Sequence, residues 1–417
     1  MELNPGPAGP SPLLSLAERD RRYGRTRSLL DEMGLDAVLV FGQRGRERYE
    51  GYLSNEAIEG VVVFSRSAKP IYVSWTHHRL TRRFAANMRD TQFWIDDVRI
   101  GPTGPTLVAI LDRLGLAGGR IGVVGLDSKG PGEMHGIVPY RTWEAVLAGL
   151  PRAEFVDIST EFSMMMLVKS DEEITLFRYA ATLGERACEA MLEAVRPGVR
   201  ERDVYAAIMD VIYRGGAVSV PPQLIISVGT DDVGWAPPYW NYAGGESRII
   251  QEGDLVQAEI FPSYGGMETQ MQMSVALEPV PAIIRELSGL ARTSYEIGLR
   301  HARVGNQFQD LAKEMEAPIS AHAENWTVTP MVHSVSPIAV ASRIGINIER
   351  SPFFPRMPEA RTIAGLNDIV LTRNMVLAFE PNVCRGPHRV NIGGTVLVTD
   401  QGGEELNQLP TRMQIKG

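Results

Sequence analysis

Cysteine is scarce in this chain, which has 2 cysteines among 417 residues, Cys188 and Cys384. Two cysteines cannot build the disulfide framework of a small secreted domain, and their spacing matches no metal-binding motif. The sequence also lacks an apolar run of the roughly 20 residues that a membrane span needs. Its beginning, MELNPGPAGPSP, lacks the basic stretch and apolar run of a secretory signal peptide. These absences predict a soluble protein of a reducing compartment, most simply the cytoplasm.

Blocks of positive charge are also few, and the formal net charge is −8 at pH 7. The exceptions are HHRLTRR at residues 77–83 and RERDVY at residues 200–205. Proteins that bind nucleic acid normally carry a clustered basic surface, so nucleic acid is not the expected partner. The composition, 44% hydrophobic and 22% charged residues, is ordinary for a globular protein.

The chain is long enough for two domains. Residues 1–14 are rich in proline and glycine and are predicted to form a flexible tail. Residues 15–165 alternate helical patterns with short β-rich runs such as DAVLVF, EGVVVF and PIYVSW, which predicts an α/β domain around a buried sheet. Residues 166–417 begin with a helix whose Ser170 and Glu173 form a capping box pattern, and they continue as an α+β domain.

The stretch GDLVQAEIFPSYGGMETQMQM, residues 253–273, has the pattern of a β-hairpin. An apolar strand leads to Glu259, a Gly-Gly turn follows, and the returning strand carries Gln270 and Gln272. Side chains two apart on a strand point to the same side, so the two glutamines share one face. If that face lines a pocket, the two amides supply donors and acceptors; otherwise they are surface residues. The methionines at 267, 271 and 273 are predicted to lie in the core.

The order of motifs in the second half resembles the pita-bread fold of methionine aminopeptidase, aminopeptidase P, prolidase and creatinase. The motifs that carry this resemblance are KSDEE, GDLV, MVHSV, GINIERSP, AFEPNV and VNIGGTVLVTDQGGEELN. The resemblance implies a pita-bread C-terminal domain preceded by a smaller α/β domain of the creatinase and prolidase type. It also implies a homodimer, and closed two-fold pairs are the commonest oligomers.

Metal-dependent members of these families hold two ions with two aspartates, a histidine and two glutamates. The resemblance places these five positions on Glu259, Gln270, His333, Glu380 and either Gly393 or its neighbour within VNIGG. An amide oxygen is a weak neutral ligand, and glycine offers none, whereas two adjacent divalent ions need carboxylates between them. We therefore expect no two-metal centre and no cofactor; a single ion held by three of these side chains stays open as an alternative.

Creatinase is the member that works without metal, and three pairs match it: Phe-Pro at 261–262, His-Ser at 333–334 and Glu-Pro at 380–381. Its catalytic histidine lies in a loop that reads GTDDVGWAPPYWNY here, so Gly234 or Trp235 stands in its place. This departure makes creatine itself a poor expectation for the substrate.

His333 is the main candidate for acid–base chemistry, because an imidazole changes its charge near neutral pH. The alternative is a hydrogen-bonded core histidine. Glu380, Glu259 and Glu268 are expected to orient His333 or to bind a cationic substrate, although Glu268 could instead be a solvated hairpin residue.

Further candidates for substrate binding lie outside the hairpin. The aromatic residues Trp235, Tyr239, Trp240 and Tyr242 could form a cage for a cation or a plug at a subunit interface. Glu349 lies near the second histidine position of the peptidase motif. His77 and His78, with the arginines at 79, 82 and 83, are interpreted either as a carboxylate clamp offered across a dimer or as a solvated helix face.

The sequence thus predicts a metal-independent, creatinase-like hydrolase acting on a non-peptide C–N bond of a small polar, cationic metabolite. Three alternatives stay open: a lyase working by β-elimination on the same fold, a non-catalytic binding or scaffold protein, and a mononuclear metallopeptidase. The expected partners are a small-molecule substrate and a second copy of the chain, with no nucleic acid and no membrane.

Overall fold

The computed structural model describes residues 11–42, 49–56, 59–87, 93–126, 137–328, 330–343, 347–356, 366 and 368–417. These residues divide into two compact units, Leu14–Met166 and 167–417, with residues 11–13 grouped with the second. Most of the predicted flexible tail, residues 1–10, lies outside the described residues. No helix in the described ranges is long and apolar enough to cross a membrane.

The first unit is built on one mixed sheet. Its strands, as far as the structure describes them, are β1 (Ala37–Phe41), β2 (Val61–Ser65), β3 (Ile71–Ser74), β4 (Asp97–Ile100), β5 (Arg120–Val124) and β6 (Glu154–Asp157). Their order is β4-β3-β2-β1-β5-β6, and β2 runs antiparallel to both neighbours. The accompanying helices are α1 (Leu16–Glu32), α2 (Tyr49–Ser54), α3 (His78–Asn87), α4 (Thr103–Arg113), α5 (Tyr140–Gly149) and α6 (Ser159–Leu167).

The predicted alternation of helices and strands in this unit is confirmed. Strands β1, β2 and β3 are buried at every position, which explains why they read as continuous apolar runs. Helix α1 ends just before Gly34, whose positive φ of 63° suits glycine. The short elements α2, β4 and α6 were not predicted, because four to nine residues carry too little periodicity to stand out.

The second unit begins with two long helices, α7 (Asp171–Ala194) and α8 (Glu201–Arg214), which cover one sheet. Its described strands are β7 (Val218–Val228), β8 (Leu255–Tyr264), β9 (Met267–Glu268), β10 (Met271–Leu277) and β19 (Gln414–Lys416), in the order β19-β10-β8-β7 with β9 paired to β8. Helices α9 (Tyr239–Tyr242), α10 (Ala282–His301) and α11 (Phe308–Ser320) complete the helical part.

Two further sheets in the described part of this unit carry the C-terminal strands. These are β11 (Asn325–Trp326), β12 (Val332–Ser334), β13 (Ser342–Arg343), β14 (Val376–Phe379), β15 (Asn382–Arg385), β16 (His388–Asn391), β17 (Gly394–Val398) and β18 (Gly403–Glu405). One sheet has the order β13-β12-β14-β17-β18 and the other β11-β15-β16. Short 3-10 turns lie at Ile348–Arg350 and Phe354–Arg356.

The hairpin of β8 and β10 has an apolar and a polar face, as its alternating sequence predicts. Ala258, Ile260, Met271 and Met273 pack into one core with α7 and α8, which also contains Cys188. The predictions that Met271 and Met273 are core residues are confirmed, and Met267 is buried as well. The opposite face carries polar side chains that are nevertheless buried (Gln257, Glu259, Gln272 and Ser274).

Backbone hydrogen bonds join this polar face to the other strands. Gln272 and Gly393 exchange both bonds, at 3.2 Å and 2.9 Å, between β10 and the turn that precedes β17. In the neighbouring sheet His333 lies opposite Ala378, and the Glu380 N–H donates to the Met331 carbonyl at 2.9 Å. These contacts bring β12, β14 and β16 against the polar face of the hairpin.

The predicted capping box at the start of α7 is confirmed: the Ser170 hydroxyl accepts from Glu173 N at 3.1 Å, and the Glu173 carboxylate accepts from Ser170 N at 2.8 Å. Replacing Ser170 by alanine leaves one helix N–H group without a partner. We expect Ser170→Ala to lower the free energy of unfolding by about 1 kcal/mol, measured by urea denaturation. Thr182→Ala is the matched control, because this exposed hydroxyl on the same helix donates only to the Arg178 carbonyl. Equal stability of the two variants would contradict the assigned role of the cap.

Candidate active site

His333 and Glu380 form a buried hydrogen-bonded pair. The distance from His333 Nε2 to Glu380 Oε1 is 2.8 Å, and both side chains are about 95% shielded from solvent. His333 lies in the middle of β12, and Glu380 directly follows β14, where Pro381 ends the strand. Because Ala378, two residues before Glu380, pairs with His333, both side chains project from the same face of this sheet.

The contact made by the second ring nitrogen of His333 shows which nitrogen carries a proton in the neutral ring. Nδ1 lies 2.8 Å from the Ser334 carbonyl oxygen, which can only accept a hydrogen bond. Nδ1 therefore carries a proton, and the neutral ring has its lone pair at Nε2. The 2.8 Å contact with Glu380 then requires one further proton between the two groups, held by the imidazole or by the carboxyl. The pair can therefore donate this proton as a general acid and accept it again as a general base.

A row of amides extends from this pair along the hairpin. Gln272 Nε2 lies 3.4 Å from Glu380 Oε2 and 3.5 Å from Gln270 Oε1, and Gln270 Nε2 donates to Glu268 Oε1 at 2.9 Å. Gln270 and Gln272 share one face, as predicted, and Glu268 is buried and is not a solvated hairpin residue. These contacts join five residues, and Glu259 lies opposite Gln272 in the hairpin. Together the six form the polar cluster: Glu259, Glu268, Gln270, Gln272, His333 and Glu380.

Glu259 occupies the other side of the polar cluster. Its two oxygens accept from the Trp235 indole N–H and the Asn391 amide, each at 2.6 Å. Burial, together with the nearby Glu380 carboxylate, raises the pKa of Glu259 to about 8, against the opposing effect of Arg389 and the two hydrogen bonds. Glu259 is therefore protonated at neutral pH, unlike an ordinary glutamate.

The aromatic loop, which carries Trp235, Tyr239, Trp240 and Tyr242, contacts the polar cluster through one residue. Trp235 binds Glu259, whereas Trp240 donates its indole N–H to Glu201 at 2.8 Å and packs on Tyr205. Tyr239 and Tyr242 are 77% and 66% exposed and stack on each other. A cage of all four rings is therefore not formed, because three of them are committed to other partners or to solvent. The prediction of a four-ring cage is wrong, while substrate binding by Trp235, Tyr239 or Trp240 and the alternative of a plug at a subunit interface stay predictions.

The remaining predicted binding residues lie at the surface of their own units. Glu349 is exposed in the 3-10 turn Ile348–Arg350. His77 and His78 are exposed near the start of α3, with their rings 4.1 Å apart. Arg83 of the same segment is buried against Glu56, at 3.0 Å. A role for these residues in substrate binding stays a prediction.

Several buried polar residues around Glu259 were missed by the sequence interpretation. Asn391 binds Glu259, and its backbone N–H donates to Gln257 Oε1 at 2.9 Å. Ser274 Oγ donates to the Asn391 carbonyl at 2.5 Å, and Arg389 is 1% exposed. For two of them a signal was available, since Gln257 lies two residues before Glu259 and Ser274 two after Gln272, so the two-residue alternation places them on the polar face of the hairpin. Asn391 and Arg389 lie on β16, and no alternation within the hairpin could have found them.

A comparison with protein families identifies the chain. The model of metallopeptidase family M24 matches residues 175–400, more than half of the 417 residues. The chain belongs to metallopeptidase family M24.

Individual relatives of this M24 protein agree with that placement. It is 25% identical over 320 residues to a creatinase from Bacillus sp., a match that covers 75% of this chain and 73% of the relative. It is 22% identical over 257 residues to a Xaa-Pro dipeptidase from Pyrococcus furiosus, covering 61% and 67%.

Solved structures establish the fold. The X-Pro aminopeptidase from Thermotoga maritima has a TM-score of 0.72 at 18% identity, over 94% of this chain and 99% of that one. A prolidase from Pyrococcus horikoshii has a TM-score of 0.70 at 16% identity, over 94% and 99%. The predicted architecture, a pita-bread domain preceded by a smaller α/β domain, is confirmed.

The name of the M24 family implies a metal, but the donors of this chain do not fit a two-metal centre. Of the five positions that the resemblance assigns to ligands, Gln270 is a neutral amide held by Glu268. At Gly393 a Cβ would lie 2.1 Å from both Gln272 Oε1 and the Phe379 carbonyl oxygen, so no carboxylate side chain fits there. Within the described ranges no group of three or more His, Cys, Asp and Glu side chains is arranged to hold an ion.

The metal content of the M24 protein tests this mismatch. After incubation with Mn²⁺, Zn²⁺ or Co²⁺ followed by gel filtration, elemental analysis should find far less than one ion per chain. The reason is that a neutral amide at Gln270 and a glycine at 393 leave too few carboxylates to offset the repulsion between two divalent ions. EDTA should leave the thermal unfolding midpoint unchanged. One or more ions per chain, or a midpoint that falls with EDTA, would contradict the assignment.

The raised pKa of Glu259 predicts how stability depends on pH. Between the ordinary glutamate value of 4.5 and about 8, the folded state keeps a proton that the unfolded state has lost. The stabilisation is therefore complete below the unfolded pKa and is lost as pH rises through the folded one. The free energy of unfolding of the wild type should fall across this range. Glu259→Gln, which stays neutral, should show a flatter profile; identical profiles would refute the shift.

Proposed function

We propose that this M24 protein is a hydrolase that cleaves a C–N bond of a small polar substrate by acid–base catalysis, without a metal pair. The observation that carries the proposal is the 2.8 Å contact between His333 Nε2 and Glu380 Oε1, with Nδ1 bound to a backbone carbonyl. The hydrolytic names of the relatives support an enzymatic role.

The pair can serve both halves of a hydrolysis. The lone pair of Nε2 can take a proton from the water whose oxygen adds to the carbon, while the shared proton rests on Glu380. A proton of the pair can then pass to the leaving nitrogen as the C–N bond breaks, so that the group leaves as a neutral amine. The pair ends as it began, and the net reaction consumes one water molecule.

Glu259 supplies a different property. Its carboxyl is neutral at pH 7 and is held in place by Trp235 and Asn391. A fixed neutral carboxyl can hydrogen-bond a substrate nitrogen without trapping it as a buried ion pair. The amides of Gln270 and Gln272 add donors and acceptors, in keeping with a polar substrate. These features favour a non-peptide C–N bond in a small metabolite over a long peptide.

Hydrolysis of a peptide bond is a second candidate. It is supported by the metallopeptidase family model and by the peptidase names of several relatives. The two candidates separate in one screen, in which small guanidino, betaine and sulfonium compounds are compared with Xaa-Pro dipeptides. Turnover of dipeptides alone would replace the first proposal by the second. Release of an unsaturated product without uptake of water would favour a lyase instead.

Once a substrate is found, substitutions test the pair. His333→Ala and Glu380→Gln should each lower kcat by a factor of about 10²–10⁴, the usual contribution of a general acid or base. Circular dichroism should show that both variants are folded.

Two variants outside the polar cluster serve as matched controls. His322→Ala removes an exposed histidine, and Glu193→Gln neutralises an exposed glutamate on α7. Both should turn over substrate like the wild type. Near-normal activity of His333→Ala and Glu380→Gln would exclude this pair from the chemistry.

A further inference from the structure

Arg389 carries a buried guanidinium, two of whose nitrogens have no hydrogen-bond partner among the described residues. It lies on β16 with 1% of its surface exposed, and the two nitrogens are Nε and Nη1. Leaving a buried guanidinium unpaired is costly, and proteins normally pair such a group. Arg22 in the first unit shows the usual arrangement, since its Nε donates to Glu18 at 2.7 Å and its Nη1 donates to the Tyr52 carbonyl at 3.0 Å.

The side chain of Arg389 projects toward the Glu259 side of the polar cluster. Residues two apart on a strand share a face, so Arg389 and Asn391 point the same way, and Asn391 reaches Glu259 at 2.6 Å. Glu259 does not neutralise Arg389 by a direct contact. Both of its oxygens are bound by the neutral donors Trp235 and Asn391.

Two more unused donors lie on the same side. Gln257 bonds to the backbone of Asn391 through Oε1, while its Nε2 is buried without a partner among the described residues. Ser227, its direct neighbour across β7 and β8, has a buried hydroxyl that is also without a partner there. A cation, an amide N–H and a hydroxyl on the Glu259 side of the fold thus have no acceptor among the described residues.

We propose that Arg389, with Gln257 and Ser227, binds a carboxylate group of the substrate. A planar carboxylate can accept two parallel hydrogen bonds from a guanidinium fork, which a single-point cation cannot provide. A carboxylate is favoured over a phosphate dianion, because one guanidinium balances a single negative charge. The proposal rests on the proposed function only for calling the bound molecule a substrate.

The position of Glu259 gives the bound molecule a direction. Gln272, which lies opposite Glu259 in the hairpin, is 3.4 Å from Glu380, while Asn391, on the same face of β16 as Arg389, binds Glu259 at 2.6 Å. A substrate carboxylate at Arg389 therefore places the opposite end of a small molecule toward His333 and Glu380. The inferred substrate class is a small amino, amidino or guanidino acid, with the carboxylate at one end and the C–N bond to be cleaved toward the other.

A matched pair of ligands tests the carboxylate site. By calorimetry on the full-length protein, 4-guanidinobutanoate should bind more tightly than 4-guanidinobutanamide, which differs only in lacking the charge. Arg389→Met should weaken binding of the acid at least about tenfold, the loss expected for hydrogen bonds to a charged group, and should leave binding of the amide unchanged. Arg389→Lys should recover part of the loss, since it restores the charge without the fork.

Equal affinity for acid and amide, absence of binding by both, or an unchanged affinity of Arg389→Met for the acid would each overturn the proposal. Tighter binding of inorganic phosphate than of the acid would overturn the choice of carboxylate. These outcomes are independent of catalysis when the titrations are repeated in Glu380→Gln. If that variant discriminates acid from amide but no compound is ever hydrolysed, the site stands and the proposed function falls.

Stability separates this role from a structural one. A buried cation that only a ligand pairs destabilises the ligand-free protein. Arg389→Met should therefore leave the unfolding midpoint of the ligand-free protein unchanged or raise it. Arg22→Met, the control, removes a paired buried arginine and should lower the midpoint. A comparable loss of stability in both variants would show that Arg389 is structural and would contradict the proposal.

Discussion

Burial of a polar sheet face is the constraint on which the second unit depends. One face of β8 and β10 packs on α7 and α8, and the other presents acids, amides and a serine that water does not reach. Buried polar groups must find partners, because an unmet hydrogen bond costs about 1–3 kcal/mol. The partners come from distant parts of the chain. Thr395 Oγ1 accepts from Gln270 N, the Asn391 amide donates to Glu259, and Gly393 exchanges two backbone hydrogen bonds with Gln272.

The same scaffold can therefore hold different chemistry. In the metal-dependent proteins that the chain resembles, this face is expected to carry carboxylates that share charge with two cations. Here amides stand at 270 and 272, and Gly393 leaves the space that Gln272 Oε1 occupies. Without cations to balance them, buried acids either share a proton, as Glu380 does with His333, or keep their own, as Glu259 does near neutral pH. A site without metal donors and buried acids that hold protons therefore have one cause, which is that no cation balances the acids.

Charge is distributed unevenly across the site. His333 and Glu380 share one proton and form a pair of low net charge, and Glu259 is neutral near pH 7. Arg389 remains as a cation with no hydrogen-bonded carboxylate within the described residues. A ligand with a negative end at Arg389 and a polar nitrogen near the pair would complement both parts. Its carboxylate would supply the acceptor that the protein itself does not provide there.

The sequence by itself determined the fold and the main chemistry of the site. Short apolar β-rich runs predicted the strands of the first unit, the Ser170 capping box predicted the start of α7, and motif order pointed to the pita-bread fold. The resemblance also singled out His333, Glu380 and Glu259, because they fall on ligand positions of the family, and Glu259 and Glu380 each follow an apolar strand. Only tertiary structure decided which polar residues join them. Asn391 and Arg389 lie more than 100 positions after Glu259 in the sequence and meet its strand through packing of sheets, which no local pattern encodes. In the aromatic loop a local pattern suggested a contact that the fold does not form. Four rings within eight residues suggested one cage, but the Trp235 indole donates to Glu259 and the Trp240 indole to Glu201, since each buried carboxyl requires a donor.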